Sequence, residues 1–500
     1  MKYSLRTILI SAAAVLALAS CTKEPDAEPS SVHQSRSLDA WIKLHKPELV
    51  GNRQPEGYYV EILDQGAPLG ETVTPLGEAE SSWIGFDMTV RTLTGRVCIT
   101  RDAALAKQEA SFTKYTHYVP MFRYCGESNY SMLEGTYYAL RNELTTGDET
   151  YRARIGSKLR LYLPASIAFS STGASDTGGY GGQYSLDGGK PAMIDIFVRD
   201  TVANPLQREG VDVDYFAEHN GALRPLPETD DDKTDAQADG DGEEDEDEDD
   251  SMYAWRNAVD TIPQLYVNRR YVPTADRPSF DYRTEYIAPY SGYEPYDNLA
   301  ELDRKINAAL IERFGDPAEL TQSEDKIGTE TTVKIWYICR FLDGFVIDTN
   351  IDEVKRLVYD EVSSSGSSIS YAAETDKSKY IAAWYYAIPQ LRKGQWAGIL
   401  TTSTNAYGAT GQTGGSTSSS SGSSSYYDYL NYYNYMNYYN NYYGGYYGGY
   451  YGNYYNSYYG GYYGNYLYDT SSTTTTTTTY STEILPYTPL LFQIFIEEEN

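Results

Sequence analysis

The sequence predicts an α+β fold that occurs twice along the chain. Three short blocks recur in the same order, with their paired starts at Arg91 and Arg340, Gly156 and Gly394, and Pro191 and Pro489. Within the second copy, alternating apolar runs indicate strands and one short run has helical spacing. Strands packed on one short amphipathic helix form an α+β unit. Because 500 residues exceed what one core normally fills, the repeat indicates two domains.

The elements are clearest in the second copy. Alternation over 332–341 predicts a strand, as do the apolar runs at 396–402 and 490–496. Between them, apolar residues over 381–391 have helical spacing and stop before a glycine. Proline lacks the amide hydrogen that a helix interior needs, so Pro389 should keep this helix short.

The chain divides into segments of distinct composition. In order they are a signal peptide (1–21), a polar tether (22–54), the first copy (55–205), an acidic linker (206–250), a connector rich in Tyr and Pro (251–323), and the second copy (324–500) with an insertion (412–482). The connector should end in a helix, since Asn298 and Glu301 can form a capping box and Gly315 can stop it.

Charge is concentrated in one place. Residues 229–250 contain 14 acidic residues and one Lys, which supply −13 of the formal net charge of −30. Such a run cannot bury apolar surface and is expected to be a solvated linker. Its spacing does not fit the ligand order of a calcium-binding EF-hand loop. No basic patch or basic aromatic strip occurs, so nucleic acid is not an expected partner, and no metal or cofactor site is predicted.

The N-terminus predicts export and lipid anchoring. Lys2 and Arg6 precede an apolar run over 8–19, which is too short to span a bilayer and reads as a secretory signal. The small residues before Cys21 resemble the lipobox of bacterial lipoproteins, which implies that Cys21 is lipidated and becomes the first mature residue. The remainder is expected to be a body tethered to a bacterial membrane, on its periplasmic face or the cell surface. In that setting Cys98 and Cys125 could form a disulfide or remain buried thiols.

Five ordered motifs in the second copy carry a family resemblance. They are the spacing of Tyr337, Gly344 and Asp348, the sequence YIAAW at 380–384, Gly394, AYGATG at 406–411, and ILPYTPLLF at 484–492. Together they resemble the FKBP-type peptidyl-prolyl cis-trans isomerases over nearly the whole second copy apart from the insertion. The resemblance implies two FKBP-like domains, each a curved antiparallel sheet wrapped on a short helix, with an apolar proline pocket between sheet and helix.

The resemblance also implies a site. Its residues would be Tyr337, Ile347, Asp348, Ile381, Trp384, Tyr407, Ile484 and Phe492. Trp384 would form the floor under the proline ring, the backbone amide of Ile381 would bind a substrate carbonyl, and the Tyr407 hydroxyl would reach the adjacent backbone. Ile347 stands where the family usually has an aromatic residue. Tyr380 and Glu483 replace aliphatic residues. The side wall of the predicted pocket therefore differs from that of the family, while its floor, Trp384, is retained.

The first copy departs from this pattern at every main position. Its counterparts of Tyr337, Ile347, Asp348, Trp384, Tyr407 and Phe492 are Met88, Cys98, Ile99, Thr136, Phe169 and Ile194. It is therefore expected to be a degenerate, inactive copy that serves as a spacer, a dimerisation surface or a chaperone-like binding module.

The expected activity is isomerisation of proline bonds in exported polypeptides, carried out by the second copy alone. Rotation about an X-Pro bond breaks no covalent bond, so a dry pocket and a few fixed hydrogen bonds suffice and no acid–base pair is needed. All four His lie outside the second copy, which excludes a His-dependent triad there. The alternative is a non-catalytic binding or adhesive lipoprotein that uses the fold as a scaffold.

The insertion has an unusual composition. Residues 426–468 contain 22 of the 53 Tyr of the chain, interrupted by Gly and Asn, and seven Thr follow at 473–479. Polar, aromatic repeats of this kind tend to self-associate. Three roles remain open for it: an expanded loop without a role, a segment that feeds or blocks the pocket, and a sticky element that binds partners through Tyr rings.

Overall fold

The structure of the chain is a computed structural model. It describes residues 30–69, 75–76, 81–127, 130–174, 185–226, 264–286, 293–360, 366–420 and 476–497. The predicted signal peptide with Cys21, the acidic run and most of the Tyr-rich insertion lie outside these residues. In the described part of the chain, no helix combines the length and apolarity that crossing a bilayer requires.

The fold is α+β and contains two large antiparallel sheets, each accompanied by helices, as the sequence predicts. The first sheet has the order β1-β7-β8-β2-β3, with β4 also paired to β2. Its elements and their neighbours are α1 (Ser30–His45), β1 (Tyr59–Gln65), β2 (Ser81–Thr92), β3 (Val97–Thr100), α2 (Ala103–Gln108), β4 (Met121–Gly126), α3 (Glu134–Arg141), the small hairpin β5 (Leu144–Thr146) and β6 (Glu149–Tyr151), β7 (Ser157–Leu163) and β8 (Ala192–Val202).

The second sheet has the order β12-β11-β17-β14-β10-β9, with β13 also paired to β11. The elements are α4 (Pro205–His219), β9 (Arg224–Pro225), β10 (Leu265–Asn268), α5 (Leu299–Phe314), β11 (Val333–Arg340), β12 (Val346–Thr349), α6 (Asp352–Tyr359), β13 (Ile369–Tyr371), α7 (Ala373–Asp376), α8 (Ala382–Ala387), β14 (Trp396–Thr401), β15 (Gly415–Ser420), β16 (Thr476–Ser481) and β17 (Leu490–Glu497).

The two sheets share their register as well as their order. Arg91 in β2 pairs with Val97 after a bulge, and Arg340 in β11 pairs with Val346 after a bulge at the same point. Ile194 in β8 lies opposite Leu161. Its counterpart Phe492 in β17 lies opposite Ile399, which matches the spacing of the duplicated blocks. The repeated sequence therefore corresponds to a repeated strand pairing.

Each strand of the second sheet alternates between two apolar clusters. One cluster contains Ile335, Cys339 and Trp384 on the side of helix α8, which we call the site face. The other contains Trp336 and Ile338 on the side of helices α5 and α6, which we call the back face. This period-two alternation follows from strand geometry, and it means that both faces of the sheet are covered.

A buried ion pair joins the back face to helix α5. Arg340 is 0 % exposed, and its guanidinium donates to Oδ1 of Asp303 at 2.6 Å, to Oε1 of Gln493 at 2.7 Å and to the carbonyl of Gly344 at 3.0 Å. The second oxygen of Asp303 accepts from the amide of Ser279 at 2.6 Å. Because each polar group has a partner, the pair fixes α5 on the sheet in one position.

Two segments differ from the sequence expectation. Residues 30–45 of the expected tether form α1, because Leu38 and Ile42 pack against Tyr59 and Tyr162 of the first sheet. Residues 206–226, assigned to the acidic linker, belong to α4 and β9. Val213 and Phe216 of α4 lie three residues apart and are fully buried in the back-face cluster, which explains why this part of the chain is ordered.

The predicted connector helix is present as α5. The Asn298 side chain accepts from the amide of Glu301 at 3.0 Å, and Gly315 ends the helix at φ 95°. Helix α8 is short, as Pro389 predicts, and passes directly into a 3-10 turn over Ile388–Gln390. Cys98 and Cys125 are buried free thiols, and burial raises the pKa of Cys125 to about 11.

We expect Asp303→Asn to lower the free energy of unfolding by about 3–5 kcal/mol, because it leaves the Arg340 charge buried without a counter-charge. The matched control is Asp195→Asn in the first sheet. Asp195 occupies the position equivalent to Gln493, bonds to Arg91 and Arg160, and remains 24 % exposed. Its loss should cost about 1 kcal/mol or less. Urea denaturation measures both values, and equal losses would contradict the buried-pair account.

Candidate functional site

The predicted site residues come together on the site face of the second sheet. Ile347, Trp384, Ile484 and Phe492 belong to one buried cluster. Tyr337, Ile381 and Tyr407 are half-buried and pack against that cluster. Asp348 joins them through a hydrogen bond to Tyr337. Residues separated by up to 155 positions in the sequence therefore form one apolar region with a polar edge.

Trp384 lies at the centre of an aromatic cluster. The indole is 3 % exposed and meets the rings of Tyr337, Tyr371 and Phe492 edge-on, at centroid distances of 5.5, 5.9 and 5.8 Å. Tyr380 instead lies nearly parallel to the indole, at 5.3 Å and 18°. Edge-to-face contacts hold the indole plane in one orientation, and Tyr380 covers one of its faces.

The polar edge is formed by Tyr337 and Asp348. The Tyr337 hydroxyl donates to Oδ2 of Asp348 at 2.5 Å, and the other carboxylate oxygen accepts from the amide of Thr349 at 2.8 Å. Both residues are half-buried, so a carboxylate stands at the rim of an apolar region with its orientation fixed by two hydrogen bonds.

Two N–H donors at this site lack partners within the described residues. Nε1 of Trp384 is buried and makes no hydrogen bond there. The amide of Ile381, which precedes helix α8, also makes none among the described residues. A buried donor without a partner costs about 1–3 kcal/mol, so Nε1 of Trp384 is suited to bind a ligand oxygen or a water molecule. The amide of the half-buried Ile381 offers a second donor beside it.

The opposite wall is built from two hydrogen-bonded segments. We call residues 403–412 the Tyr407 turn and residues 482–487 the Ile484 wall. Ile484 and Gln412 exchange backbone hydrogen bonds of 2.7 and 2.9 Å, and the amide of Tyr487 donates to the carbonyl of Gly408 at 3.0 Å. The position of Tyr407 therefore depends on the position of the Ile484 wall.

A buried carboxylate from helix α4 holds the start of the Tyr407 turn. Glu209 is 2 % exposed, and its two oxygens accept from the amide and the hydroxyl of Ser403, the latter at 2.7 Å. Burial raises the pKa of Glu209 to about 7, and the two bonds from Ser403 oppose this shift. Glu209 could not be predicted from the sequence, since an acidic residue in a helix carries no signal of a partner 194 positions away.

Two further residues of the site were also missed. Tyr371 contacts Trp384 from the short strand β13, whose only sequence signal is the alternation of Ile369 and Tyr371 among serines. Asn350 accepts from the amide of Tyr337 at 2.8 Å and donates to the carbonyl of Ile335 at 2.9 Å. It therefore stabilises the strand that carries Tyr337.

The equivalent region of the first sheet is filled by smaller aliphatic and polar residues. Met88, Cys98 and Ile194 are buried in its apolar cluster, where Ile99 and Phe169 pack against them. Thr136 replaces the indole, is 1 % exposed, and its hydroxyl has no partner among the described residues. At the positions equivalent to Trp384 and Asp348, both within the described residues, the first copy thus has neither an indole nor a carboxylate.

No group of three or more His, Cys, Asp or Glu side chains within the described residues is placed to hold a metal ion. The arrangement around Trp384 offers apolar surface, two N–H donors and one carboxylate. Such a set can bind and desolvate a polypeptide segment, but it contains no nucleophile activated by a neighbouring base.

Comparison with known proteins gives matches to solved structures alone. No family model matches the chain, and no curated protein does. A peptidyl-prolyl cis-trans isomerase from Pseudomonas syringae pv. tomato is 17% identical, with a TM-score of 0.22, over 36% of this chain and 98% of its own. The three FKBP domains of wheat FKBP73 are 9% identical, with a TM-score of 0.19, over 89% of this chain and 95% of theirs.

FkpA from Escherichia coli is 12% identical, with a TM-score of 0.22, over 40% of this chain and 74% of its own. The chain is thus similar to structures that contain FKBP-type domains, at low identity and low TM-score. Neither activity nor site residues follow from that similarity, and the function proposed below depends on the geometry of the site.

We expect Glu209→Gln to stabilise the protein at pH 8. The folded pKa of about 7 lies above the ordinary value of 4.5, so the folded state keeps a proton that the unfolded state releases between these values. The stabilising effect of this group is therefore present below about pH 4.5 and is lost as pH rises to about 7, by roughly 3 kcal/mol. Gln keeps an acceptor for the Ser403 amide without the charge.

Thermal or urea unfolding of both proteins between pH 4.5 and 8 measures this effect. The advantage of the Gln variant should be absent at pH 4.5 and grow until about pH 7. Glu218→Gln, at an exposed position of the same helix, is the control and should show no such change. A constant difference across the pH range would contradict the assignment.

Proposed function

We propose that the second sheet with helix α8 forms a peptidyl-prolyl cis-trans isomerase site that assists the folding of exported proteins. The observation that carries the proposal is the indole of Trp384, held edge-on by Tyr337, Tyr371 and Phe492 beside two N–H donors. An apolar ring system of this kind suits the pyrrolidine ring of proline.

The chemistry needs only binding and desolvation. The barrier to rotation of an X-Pro bond comes from conjugation of the amide, which gives the planar form a larger dipole than the twisted one. An apolar site disfavours the planar form, and fixed hydrogen bonds hold the flanking chain while the bond rotates. In this proposal the Ile381 amide binds a substrate carbonyl and Trp384 supports the ring.

The remaining residues complete the pocket. Ile347, Ile484 and Phe492 exclude water, Tyr407 reaches the substrate backbone, and Asp348 with Tyr337 lines the rim. The first copy takes no part in the chemistry, because Thr136 and Ile99 stand where Trp384 and Asp348 supply the floor and the rim. Activity therefore belongs to the second copy.

Trp384→Leu in the full chain should lower kcat/KM for a proline-containing peptide at least tenfold, because the flat support for the ring is lost. Tyr380→Val should raise it, since Tyr380 covers one face of the indole at 5.3 Å. Thr136→Ala, at the equivalent position of the first copy, is the matched control. A protease-free isomerisation assay measures all three.

A wild-type chain that leaves the slow proline phase of a refolding protein unchanged would refute the isomerase. Equal losses in the Trp384 and Thr136 variants would refute the assignment to the second copy. A rate unaffected by Tyr380→Val would show that the covered face is not the one that proline uses.

A second candidate function is adhesion or partner binding without catalysis. The observation that favours it is the composition of the insertion, 22 Tyr within residues 426–468. Deletion of residues 421–475 separates the two functions. Loss of self-association or surface adhesion with unchanged isomerisation supports the adhesive role, and altered turnover supports a role of the insertion at the pocket.

We further propose that the protein is exported and anchored to a bacterial membrane through a lipid on Cys21. The apolar run before Cys21 and the small residues next to it support this location. Replacement of Cys21 by Ser should move the protein from the membrane fraction to the soluble fraction. Fractionation and immunoblotting measure the shift, and an unchanged membrane fraction would contradict the anchor.

A further inference from the structure

The first copy contacts the second at the segments that border the Trp384 site. Its contacts come from the end of β3, the loop between α2 and β4, and the strands β2 and β4. They reach the Ile484 wall on one side and the β11–β12 turn with the end of α6 on the other. None of these contacts was predicted from the sequence.

Tyr115 of the first copy touches both sides. Its ring stacks on Tyr359 at the end of α6, at 4.3 Å and 7°. Its carbonyl accepts from the hydroxyl of Thr482 in the Ile484 wall at 2.9 Å. Tyr359 in turn donates to the carbonyl of Val346, the residue before Ile347. One residue therefore connects two segments that reach opposite parts of the site.

Glu483 connects the wall to two arginines of the first copy. Its carboxylate forms ion pairs with Arg101 and with Arg123, the latter at 2.8 Å. All three side chains are partly buried, at 15 to 21 % exposure, so these pairs are partly shielded from solvent. Glu483 was noted in the sequence as an unusual replacement for an aliphatic residue, and its partners explain the charge.

Tyr487 adds a contact that requires an unfavourable backbone. Its φ is 53°, a region that glycine adopts easily, and the first copy has Gly189 at the equivalent position with φ 75°. The Tyr487 ring meets Trp83 of the first copy edge-on at 4.9 Å. A side chain held at positive φ normally has a compensating contact, and here that contact is with the first copy.

A buried pair fixes the far side of the interface. Nε2 of His117 lies 2.7 Å from Oδ2 of Asp343, and both side chains are buried. The His117 ring also packs on Phe341 and Phe345 at 4.6 and 4.8 Å. The loop that carries Tyr115 is therefore anchored to the β11–β12 turn as well as to the Ile484 wall.

We propose that the first copy is a positioning element for the proline site of the second copy. Arg101, Tyr115 and Arg123 hold the Ile484 wall, and that wall holds the Tyr407 turn through the hydrogen bonds of Ile484 and Tyr487. The first copy touches no substrate in this account and acts through the wall. Because the site is the one proposed to isomerise proline bonds, this inference depends on that function.

The test uses the full chain with Arg101→Gln and Arg123→Gln, singly and together. Hydrogen exchange of the amides in the Ile484 wall and the Tyr407 turn is measured first, because it does not depend on activity. We expect exchange in both segments to rise about tenfold or more in the double variant, since local opening becomes easier. The kcat/KM for a proline peptide should fall about tenfold, because misplacement of the wall disturbs the bound geometry.

Arg160→Gln is the matched control, since Arg160 pairs with Asp195 inside the first sheet and is similarly shielded. It should change neither exchange nor kcat/KM. Arg123→Lys retains the positive charge and should recover most of the activity lost in Arg123→Gln. Circular dichroism tests whether each variant is folded. If the double variant is not folded, the comparison is made with the single variants.

The outcomes separate the two proposals. If the wild-type chain is active and the Gln variants match it in kcat/KM, the positioning role is overturned, whatever their exchange rates. If the wild-type chain is inactive, the isomerase is overturned, and the exchange rates of the Tyr407 turn decide the inference alone. Unchanged hydrogen exchange in the Tyr407 turn overturns the positioning role. Faster exchange in the Arg101 and Arg123 Gln variants, but not in Arg160→Gln, supports it.

Discussion

The buried ion pair between Arg340 and Asp303 fixes helix α5 on the back face of the second sheet. Arg340 is wholly enclosed, and its charge is balanced by a carboxylate on helix α5. An arginine cannot lose its proton inside a protein, so the helix has to remain in place. With α5 held on the back face, the residues of the proposed site stand on the opposite face of the sheet, which carries Trp384.

In the first sheet, the residues equivalent to Arg340 and Gln493 form a different interaction. Arg91 and Asp195 are the counterparts of Arg340 and Gln493, and they form a partly exposed pair near the covering helix α1. The back face of the first sheet packs α1 through Leu38 and Ile42 and has no enclosed charge among its described residues. Two copies with one strand order thus differ in how firmly their covering helices are held.

Much of the architecture could be predicted because it is local or repeated. Capping by Asn298, the stop at Gly315 and the bend at Pro389 are properties of neighbouring residues, and the duplicated blocks carry the register of both sheets. The site residues came from ordered motifs, and the structure brings them together, while their roles remain predictions.

Contacts between distant segments could not be predicted. The hydrogen bonds from Ser403 to Glu209 and from Thr482 to Tyr115 join residues 194 and 367 positions apart. Neither partner has a distinctive neighbourhood in the sequence. Helix α1 was not predicted for a related reason. Its apolar residues are recognisable as a buried side only once their contacts with Tyr59 and Tyr162 are known. In each case the sequence of one segment does not show which distant segment it packs against.

The small hairpin β15–β16 fixes the two points at which the Tyr-rich insertion joins the second copy. Gly415 pairs with Ser481 and Ser420 with Thr476, so both ends of residues 421–475 are attached to adjacent strands about 4.8 Å apart. Any chain inserted beyond Ser420 meets the same two attachment points, whatever its length. The number of repeats in the insertion can therefore vary without a change in the geometry of the second copy. Because of the hairpin, folding of the domain does not depend on the length of the insertion.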